Sequence, residues 1–228
     1  MAGGPLTRTQ MVSQLSRAYP ATVMVDAGGA LLVRGREVLV AELRTAGSVE
    51  ARMANATIGD QFSIPYPPGC PVQPPMNDLD PGRLRNEAFF RAMYGGSRSE
   101  VAKNLVPVKW FGSTLQATTI NGVDKRLAAV ASELALFPEL RRYLVNPGGG
   151  FNWRRIAGEK ILSMHSFGIA FDVNVTYSDY WRWSDGVKEY ANRIPCAIGD
   201  VFERHGFIWG AKWFHFDTMH FEYRPELL

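Results

Sequence analysis

The chain has 228 residues, of which 46% are hydrophobic and 21% charged, as in an ordinary globular protein with enough residues for a sizeable core. Lys and Arg number 25 against 22 for Asp and Glu, so the net charge is only +3. No stretch dense in Lys and Arg accompanies this small excess, which argues against a nucleic-acid partner. No apolar run is long enough to span a bilayer, so we expect no membrane span.

Two cysteines, Cys70 and Cys196, have neither the spacing of a metal motif nor a histidine close by. A disulfide between them is possible if the protein is exported, and two separate thiols are an equal alternative. The first residues, Met1 to Leu6, lack the charged and then apolar pattern of an export signal, so the sequence does not show an export route.

The first third of the chain predicts a short helix, short strands and an irregular loop. Apolar residues recur at helical spacing from Thr7 to Tyr19. Strands are expected over residues 22–26, 30–34 and 37–41, with glycine-containing turns between them. A Pro- and Gly-rich stretch, residues 65–82, predicts an ordered covering loop or a boundary. We therefore divide the chain into an N-terminal segment, residues 1–80, and a domain over residues 81–228.

The remainder predicts helices mixed with further short strands. Helices are expected to begin at Asp80-Pro81-Gly82 and near Ser97 or Ser99, and to cover 123–144 and, with a break at Pro195, 185–204. Strands are expected over 115–120, 207–210 and 218–223. Without a regular βαβ order, this mixture predicts an α+β fold in which helices pack behind a small antiparallel sheet.

The most informative segment runs from Ser163 to Asn174 in the order Ser-Met-His-Ser-Phe-Gly-Ile-Ala-Phe-Asp-Val-Asn. After Gly168, apolar residues alternate with small or polar ones, which predicts a strand with one face in the core. Asp172 lies on the other face beside a small alanine, an arrangement that suits a metal-binding carboxylate with space for substrate. Gly168 would let the chain turn sharply so that His165 folds back over the strand.

A second segment, Trp213 to Tyr223, has the order Trp-Phe-His-Phe-Asp-Thr-Met-His-Phe-Glu-Tyr. His220 and Glu222 share one face of a predicted strand. Asp217 lies three residues before His220, which is the wrong parity for that face. We therefore expect a turn or bulge that swings Asp217 back towards the metal.

Two histidines and an aspartate provide the three protein ligands expected at a catalytic zinc that keeps a fourth position for water. Zn²⁺ there would activate the water and polarise the scissile carbonyl. An acidic side chain near the metal, but not bound to it, must then move the water's proton. Asp217 is the predicted base, and roles as a ligand or a helix cap stay open for it.

The segment from Ser163 to Asp172 resembles the SxHxxGxAxD signature of the metallopeptidases grouped with lysostaphin, D-Ala-D-Ala peptidases and the hedgehog signalling domain. The segment from Asp217 to Glu222 is similar to the second signature of the D-alanyl-D-alanine carboxypeptidase and L-alanyl-D-glutamate endopeptidase branch. The resemblance implies Asp217 as the catalytic base and three zinc ligands, His165, Asp172 and His220. Carboxypeptidases of this branch often have Glu where Asp217 stands and Trp where Met219 stands, so the scissile bond stays open.

Residues 151–158 resemble the stretch in which this family places its substrate-binding arginine. The resemblance implies Arg154, with Arg155 as the alternative. Its guanidinium can bind a substrate carboxylate with two hydrogen bonds or stabilise an oxyanion. Ser163 is expected to orient the site for substrate binding and not to act as a nucleophile, because no histidine–acid pair is arranged for it.

Other candidate residues have both a functional and a structural interpretation. His215 could stabilise the transition state or replace a ligand, but a histidine between two phenylalanines is more often buried and hydrogen-bonded. His205 is expected at a helix end, where a cation is favourable. Glu222 could support a metal ligand or pair with an arginine. Five aromatic residues could line a groove, although aromatic residues are more often in the core: Trp181, Trp183, Trp209, Trp213 and Tyr223.

The resemblance implies a zinc metallopeptidase that hydrolyses peptidoglycan stem peptides, at D-Ala-D-Ala or at L-Ala-D-Glu. It also implies a cell-envelope location, periplasmic or extracellular, while the oligomeric state is not indicated. The alternatives are a non-catalytic zinc-containing binding module of the same fold and a peptidase or amidase with no cell-wall role. A binding module would need neither Asp217 nor Arg154.

Overall fold

The structure, a computed structural model, describes residues 6–41, 49–70, 79–156, 158–183 and 189–228. Over these ranges the chain combines α-helices and 3-10 turns with small sheets in which all paired strands are antiparallel. The predicted α+β class is therefore confirmed.

The helices and strands of the described residues are short. The α-helices are α1 Arg8–Ala18, α2 Val49–Ala54, α3 Ile58–Gln61, α4 Glu87–Tyr94, α5 Arg98–Ala102, α6 Val123–Leu134 and α7 Cys196–Arg204. The strands are β1 Val23–Val25, β2 Leu31–Val33, β3 Arg36–Val38, β4 Leu105–Trp110, β5 Ser113–Thr118, β6 Pro147–Gly149, β7 Ala170–Asn174, β8 Phe207–Trp209 and β9 His220–Tyr223.

Helix α1 and strands β1, β2 and β3 overlap the predicted elements, whereas helices α2 and α3 were not predicted. Thr7 caps helix α1 and forms a capping box with Gln10, which satisfies backbone donors that the first turn leaves free. Strands β1, β2 and β3 form an antiparallel sheet in chain order. Of the Pro- and Gly-rich stretch, residues 65–70 and 79–82 contain no helix or strand, and residues 71–78 lie outside the described residues. The division of the chain near residue 80 stays a prediction.

The helix predicted to begin at Asp80-Pro81-Gly82 begins instead at Glu87. Asn86 caps it by accepting a hydrogen bond from the amide of Phe89 at 2.8 Å. Residues 81–83 form a turn. The carbonyl oxygen of Pro81 accepts a hydrogen bond from the Trp213 indole at 2.6 Å. This turn therefore lies against the C-terminal segment.

Two further helix predictions were too long. Helix α6 ends at Leu134, and Pro138 starts a separate 3-10 turn, because a proline ring clashes with a preceding helical turn and lacks an amide hydrogen. The stretch predicted as helical over 185–204 is a helix only from Cys196; residues 189–195 are irregular, and residues 184–188 lie outside the described residues. Strand β4, which pairs with β5 in a hairpin, was not predicted.

The central sheet has the strand order β6-β7-β9-β8 and is antiparallel throughout. One of its faces packs on helix α7, where the rings of Phe202 and Phe221 stack with their centroids 3.8 Å apart. Gly199 of α7 lies directly on Trp209, since an added Cβ atom would come within 2.4 Å of the indole. This tight packing fixes strands β8 and β9, and the opposite face carries polar side chains.

Cys70 and Cys196 form a disulfide, with their Cα atoms 6.0 Å apart. It joins the segment after α3 to the first residue of α7, so of the two alternatives weighed from the sequence the disulfide is observed. Among the described residues, no helix has the length and apolar character that crossing a bilayer requires.

Candidate metal centre

His165, Asp172 and His220 converge at the polar face of the central sheet. One potential ligand atom from each side chain lies within 4.8 Å of the other two. His165 and His220 are buried, with 4% and 7% of their surface exposed, and the Asp172 side chain is 20% exposed. Two imidazoles and a carboxylate form a donor set that suits a divalent transition metal, above all zinc.

Strand pairing brings two of these side chains together. Asp172 in β7 and His220 in β9 are direct cross-strand partners in an antiparallel ladder. Side chains of directly paired residues point to the same face of a sheet and lie close to each other. The alternation in β7 produces this arrangement, because Phe171 and Val173 are buried on the core side.

His165 reaches the site from a 3-10 turn, Met164–Phe167, immediately before β7. Gly168 ends this turn in the left-handed conformation, with φ of 69°, as expected from the sequence. An added Cβ atom at Gly168 would also lie only 2.5 Å from Leu105. The sharp turn folds His165 back over the strand, and Phe167 packs against Phe90 of α4 behind it.

The hydrogen bonds of the two imidazoles determine which ring nitrogens face the cluster. Nδ1 of His165 lies 2.7 Å from the Gly150 carbonyl oxygen, and Nε2 of His220 lies 3.1 Å from Oε2 of Glu222. Both partners are acceptors, so these nitrogens carry the hydrogens. In the neutral rings the lone pairs are then on Nε2 of His165 and Nδ1 of His220, which lie 3.2 Å apart. The two atoms lie 3.2 Å and 3.0 Å, respectively, from Oδ1 of Asp172.

Three electron-pair donors therefore surround one point, which a cation would stabilise. Without a metal ion a proton would supply this charge: burial lowers the pKa of His220, but its hydrogen bonds with Asp172 and Glu222 outweigh burial and raise the pKa to about 10. Burial raises the pKa of Asp172, but His165 and His220 outweigh it and hold the pKa below its usual range. Burial likewise opposes the ionisation of Glu222, yet its hydrogen bond with His220 and the nearby Arg85 and Arg224 lower its pKa to about 2. Both carboxylates are thus ionised at neutral pH.

Asp217 lies beside the cluster, and a turn separates it from His220, as the parity argument predicted. Residues 218 and 219 form the turn, and the His220 amide donates to the Asp217 carbonyl at 3.1 Å. Among the described residues, the buried Oδ1 atom of Asp217 accepts no hydrogen bond. Burial, together with the charge of Asp172, raises the pKa of Asp217 to about 6. An ionisable carboxyl group with an uncommitted oxygen is suited to exchange protons with a bound molecule.

Arg154 lies at the rim of the cavity that contains the cluster, whereas Arg155 is not among the residues that line it. The Arg155 guanidinium instead donates to the Lys160 carbonyl, and its backbone forms a bridge with Leu162. Ser163 lines the cavity, and its amide donates to the Arg154 carbonyl at 3.0 Å. The exposed Arg154 side chain and the buried Ser163 are thus adjacent in the site.

Several cavity residues were not singled out from the sequence as site residues: Arg83, Arg85, Ile156, Met164 and Tyr180. Arg83 forms ion pairs with Asp80 at 3.0 Å and with Glu159 at 2.6 Å. The Gly150 carbonyl that orients His165 was not predicted either. No local pattern marks these residues, since distant segments bring them to the site.

The structure shows the surroundings of the residues that had both a functional and a structural interpretation. His215 lines the cavity, and Oδ2 of Asp80 lies 2.7 Å from its Nδ1 atom. His205 is at the C-terminal end of α7, as expected, with Nε2 2.8 Å from Glu133. Glu222 contacts both His220 and Arg224, so it pairs with an arginine, while its support of a metal ligand stays a prediction. Of the aromatic residues, Trp209, Trp213 and Tyr223 are buried, Trp181 is half-buried at the cavity, and Trp183 is 55% exposed.

Residues 157–223 match the sequence profile of the D-alanyl-D-alanine carboxypeptidase family. The match supports this metallopeptidase family. It does not indicate a particular member. No curated protein and no solved structure matches the chain. The matched span contains His165, Asp172, Asp217 and His220, while Arg154 precedes it.

Proposed function

We propose that the protein is a zinc metallopeptidase that hydrolyses peptidoglycan stem peptides. The observation that carries the proposal is the convergence of Nε2 of His165 and Nδ1 of His220 on Asp172, with the buried Oδ1 atom of Asp217, unbonded within the described part of the chain, in the same cavity. The family match supports a peptidase of this type. A site that only stabilised the fold would need neither a fourth, proton-exchanging acid nor an adjacent cavity.

His165, Asp172 and His220 would hold the zinc ion, through Nε2, a carboxylate oxygen and Nδ1 respectively. Zinc at such a site supplies a Lewis acid for the scissile carbonyl and makes water more acidic. With zinc bound, the hydrogen bonds from His165 to Gly150 and from His220 to Glu222 would orient both rings so that their inner nitrogens face the ion.

Asp217 would act as the general base. Its carboxylate takes a proton from the attacking water and then gives it to the amine of the departing peptide. A pKa near the working pH suits both transfers, and the pKa of about 6 that burial and Asp172 give this group meets that requirement.

Arg154 and Ser163 would bind the substrate. The guanidinium of Arg154 can hold a peptide carboxylate with two hydrogen bonds or stabilise the carbonyl oxygen as it gains charge. Ser163 would help by hydrogen bonding at the same wall of the cavity. The scissile bond is either D-Ala-D-Ala, in a carboxypeptidase, or L-Ala-D-Glu, in an endopeptidase.

The substrate implies a location in the cell envelope, periplasmic or extracellular. The disulfide between Cys70 and Cys196 supports this location, because disulfides persist in oxidising compartments outside the cytoplasm. The partner of the protein would then be the cell wall itself.

The test is digestion of purified muropeptides by the zinc-loaded protein, with mass analysis of the products. Release of D-Ala identifies a carboxypeptidase, and cleavage after L-Ala identifies an endopeptidase. Cleavage of unrelated peptides with no cleavage of muropeptides would support a peptidase without a cell-wall role. Zinc bound at one ion per chain with every stem peptide left intact would contradict the proposal and favour a non-catalytic zinc module.

A further inference from the structure

A continuous row of buried charged side chains leads from the metal-site histidine His220 to the N-terminal segment. Its members alternate in charge: Glu222, Arg224 and Glu226, each with at most 1% of its surface exposed. The row ends on Tyr19 and Gln61, which are also buried. Arg224, Glu226, Tyr19 and Gln61 all lie outside the span that matches the peptidase family.

Glu222 is the first link, and both of its oxygens are used. Oε2 accepts from Nε2 of His220 at 3.1 Å, and Oε1 accepts from Nη1 of Arg224 at 2.8 Å. The carboxylate is therefore held between the imidazole and the guanidinium. A shift of the guanidinium would rotate the carboxylate and change its hydrogen bond to His220.

Arg224 is the second link, and it is fixed from three sides. Its Nε donates to Oε1 of Glu226 at 2.6 Å, and its Nη1 also donates to the Gly82 carbonyl at 2.7 Å. The guanidinium lies over the ring of Phe90, 5.0 Å from its centroid. An arginine without surface exposure requires such neutralisation, because an unpaired buried charge is strongly destabilising.

Glu226 is the third link, and residues near the N-terminus hold it. Oε2 accepts from the Tyr19 hydroxyl at 2.5 Å, and Oε1 accepts from the Gln61 amide at 2.9 Å. Its backbone carbonyl accepts from the Gln14 side chain at 2.7 Å. Helices α1 and α3 therefore determine where this carboxylate lies.

We propose that Arg224, Glu226, Tyr19 and Gln61 are positioning residues for the metal centre. Through Glu222 they fix the orientation of His220, so the N-terminal segment contributes to the zinc site. The inference rests on the proposed role of His220 as a zinc ligand. The physical basis is that hydrogen-bonded charges interact strongly in a dry interior, and that partners of a ligating histidine tune metal affinity.

The same contacts would also stabilise the fold, so the test needs a matched control. A second group, Tyr66, Glu203 and Lys212, provides this control. The Tyr66 hydroxyl donates to Oε1 of Glu203 at 2.5 Å, and Lys212 forms an ion pair with the same oxygen at 2.5 Å. Lys212 is only 1% exposed. Among the described residues, this Tyr–Glu–Lys group has no hydrogen bond to His220 or Glu222.

The experiment measures the zinc dissociation constant by competition with a chromophoric chelator, on folded protein at low temperature. Glu226→Gln and the milder Tyr19→Phe should weaken zinc binding by roughly 2- to 30-fold, the range for residues that act through a contiguous network. The controls Glu203→Gln and Tyr66→Phe should lower the melting temperature of the metal-free protein but leave the zinc dissociation constant within about twofold of the wild type. Equal zinc affinity in Tyr19→Phe and the wild type would overturn the proposal, even if Glu226→Gln failed to fold.

A double-variant comparison tests whether the effect passes through Glu222. Glu222→Gln alone should weaken zinc binding by about 10- to 100-fold. Adding Tyr19→Phe to Glu222→Gln should then weaken it no further, and full additivity would contradict the relay. If the wild-type protein itself bound no zinc, the proposed function would fail, which is a different result from zinc binding that is insensitive to Tyr19.

Discussion

Nε2 of His165 lies 3.2 Å from Nδ1 of His220, and in the neutral rings both atoms carry lone pairs, because the outer nitrogens donate to Gly150 and Glu222. Two lone pairs at this separation repel each other unless a positive charge lies between them. The outer nitrogens are held on Gly150 and Glu222, so neither ring can turn away without losing a hydrogen bond.

Substitution of Asp217 by Asn should separate catalysis from metal binding. Because Asp217 is the proposed base and not a ligand, Asp217→Asn should lower kcat/KM on a cleavable muropeptide by roughly 100- to 10,000-fold. Its zinc content, measured by inductively coupled plasma mass spectrometry, should equal that of the wild type. His165→Ala should lose both zinc and activity. An Asp217→Asn protein with the full peptidase rate would show that the base is wrongly assigned.

The same substitution should stabilise the metal-free protein in a pH-dependent way. The pKa of Asp217 is raised from its ordinary value to about 6, so its ionisation is disfavoured in the folded state. The wild type should therefore lose stability as the pH rises from about 4 to about 6, whereas Asp217→Asn should not. At pH 7.5 the variant should have a larger free energy of unfolding, by about 3 kcal/mol.

Urea unfolding of the two metal-free proteins at pH 4 and pH 7.5 measures this difference. The two proteins should differ least at pH 4, where the Asp217 carboxyl group is largely protonated. If the variant is less stable than the wild type at pH 7.5, ionisation of Asp217 does not destabilise the folded protein, and the prediction is wrong.

Removal of zinc should abolish hydrolysis and lower thermal stability together. Treatment with a chelator should eliminate muropeptide cleavage, and added zinc should restore it. Zinc at about 1,000 times its dissociation constant should stabilise the folded protein by roughly 4 kcal/mol, which scanning calorimetry would record as a higher melting temperature. His165→Ala should show no such shift. A wild-type melting temperature that is independent of zinc would argue against a metal site.

The neighbouring arginines offer a matched pair for substrate binding. Arg154 lines the cavity, while the Arg155 guanidinium is bonded to the backbone at Lys160. Arg154→Ala should lower kcat/KM by about 100-fold, the size expected for loss of one charge-stabilising donor. Arg155→Ala should have a much smaller effect in the same steady-state assay. The reverse order would assign the substrate-binding role to Arg155.

Reduction of the Cys70–Cys196 disulfide should destabilise the protein. The bond closes a loop with a sequence separation of 126 residues, and its loss enlarges the conformational freedom of the unfolded chain. We expect the free energy of unfolding to fall by roughly 2–5 kcal/mol, measured by urea titration with and without a reductant. The Cys70→Ser/Cys196→Ser double variant should unfold at the lower midpoint regardless of reductant. A urea unfolding midpoint of the wild type that does not change with reductant would contradict the disulfide between Cys70 and Cys196.

The sequence predicted the cluster because its residues lie in short, dense patterns. Alternation around Asp172 indicates a strand, Gly168 indicates the turn that returns His165, and the parity of Asp217 indicates the turn before His220. Each of these features depends on local backbone geometry, which residue spacing encodes directly. The α+β class and most short elements followed for the same reason.

The surroundings of the cluster could not be predicted, because they depend on contacts between distant segments. Nothing near Gly150 indicates that its carbonyl orients His165, and nothing near Tyr19 indicates a bond to Glu226. The predicted ends of two helices were wrong because a capping side chain or a proline sets them. Asn86 caps α4, so this helix begins later in the chain than Pro81 suggested, and Pro138 begins a separate turn after α6 ends. Such contacts require three-dimensional information.

The central claim is that His165, Asp172 and His220 bind one metal ion, and anomalous diffraction at the zinc edge from crystals of the zinc-loaded protein tests it most directly. The account predicts one strong peak about 2.0–2.2 Å from Nε2 of His165, Nδ1 of His220 and a carboxylate oxygen of Asp172. A peak at other residues, bonding through the opposite ring nitrogens, or no peak in fully zinc-loaded protein would contradict it.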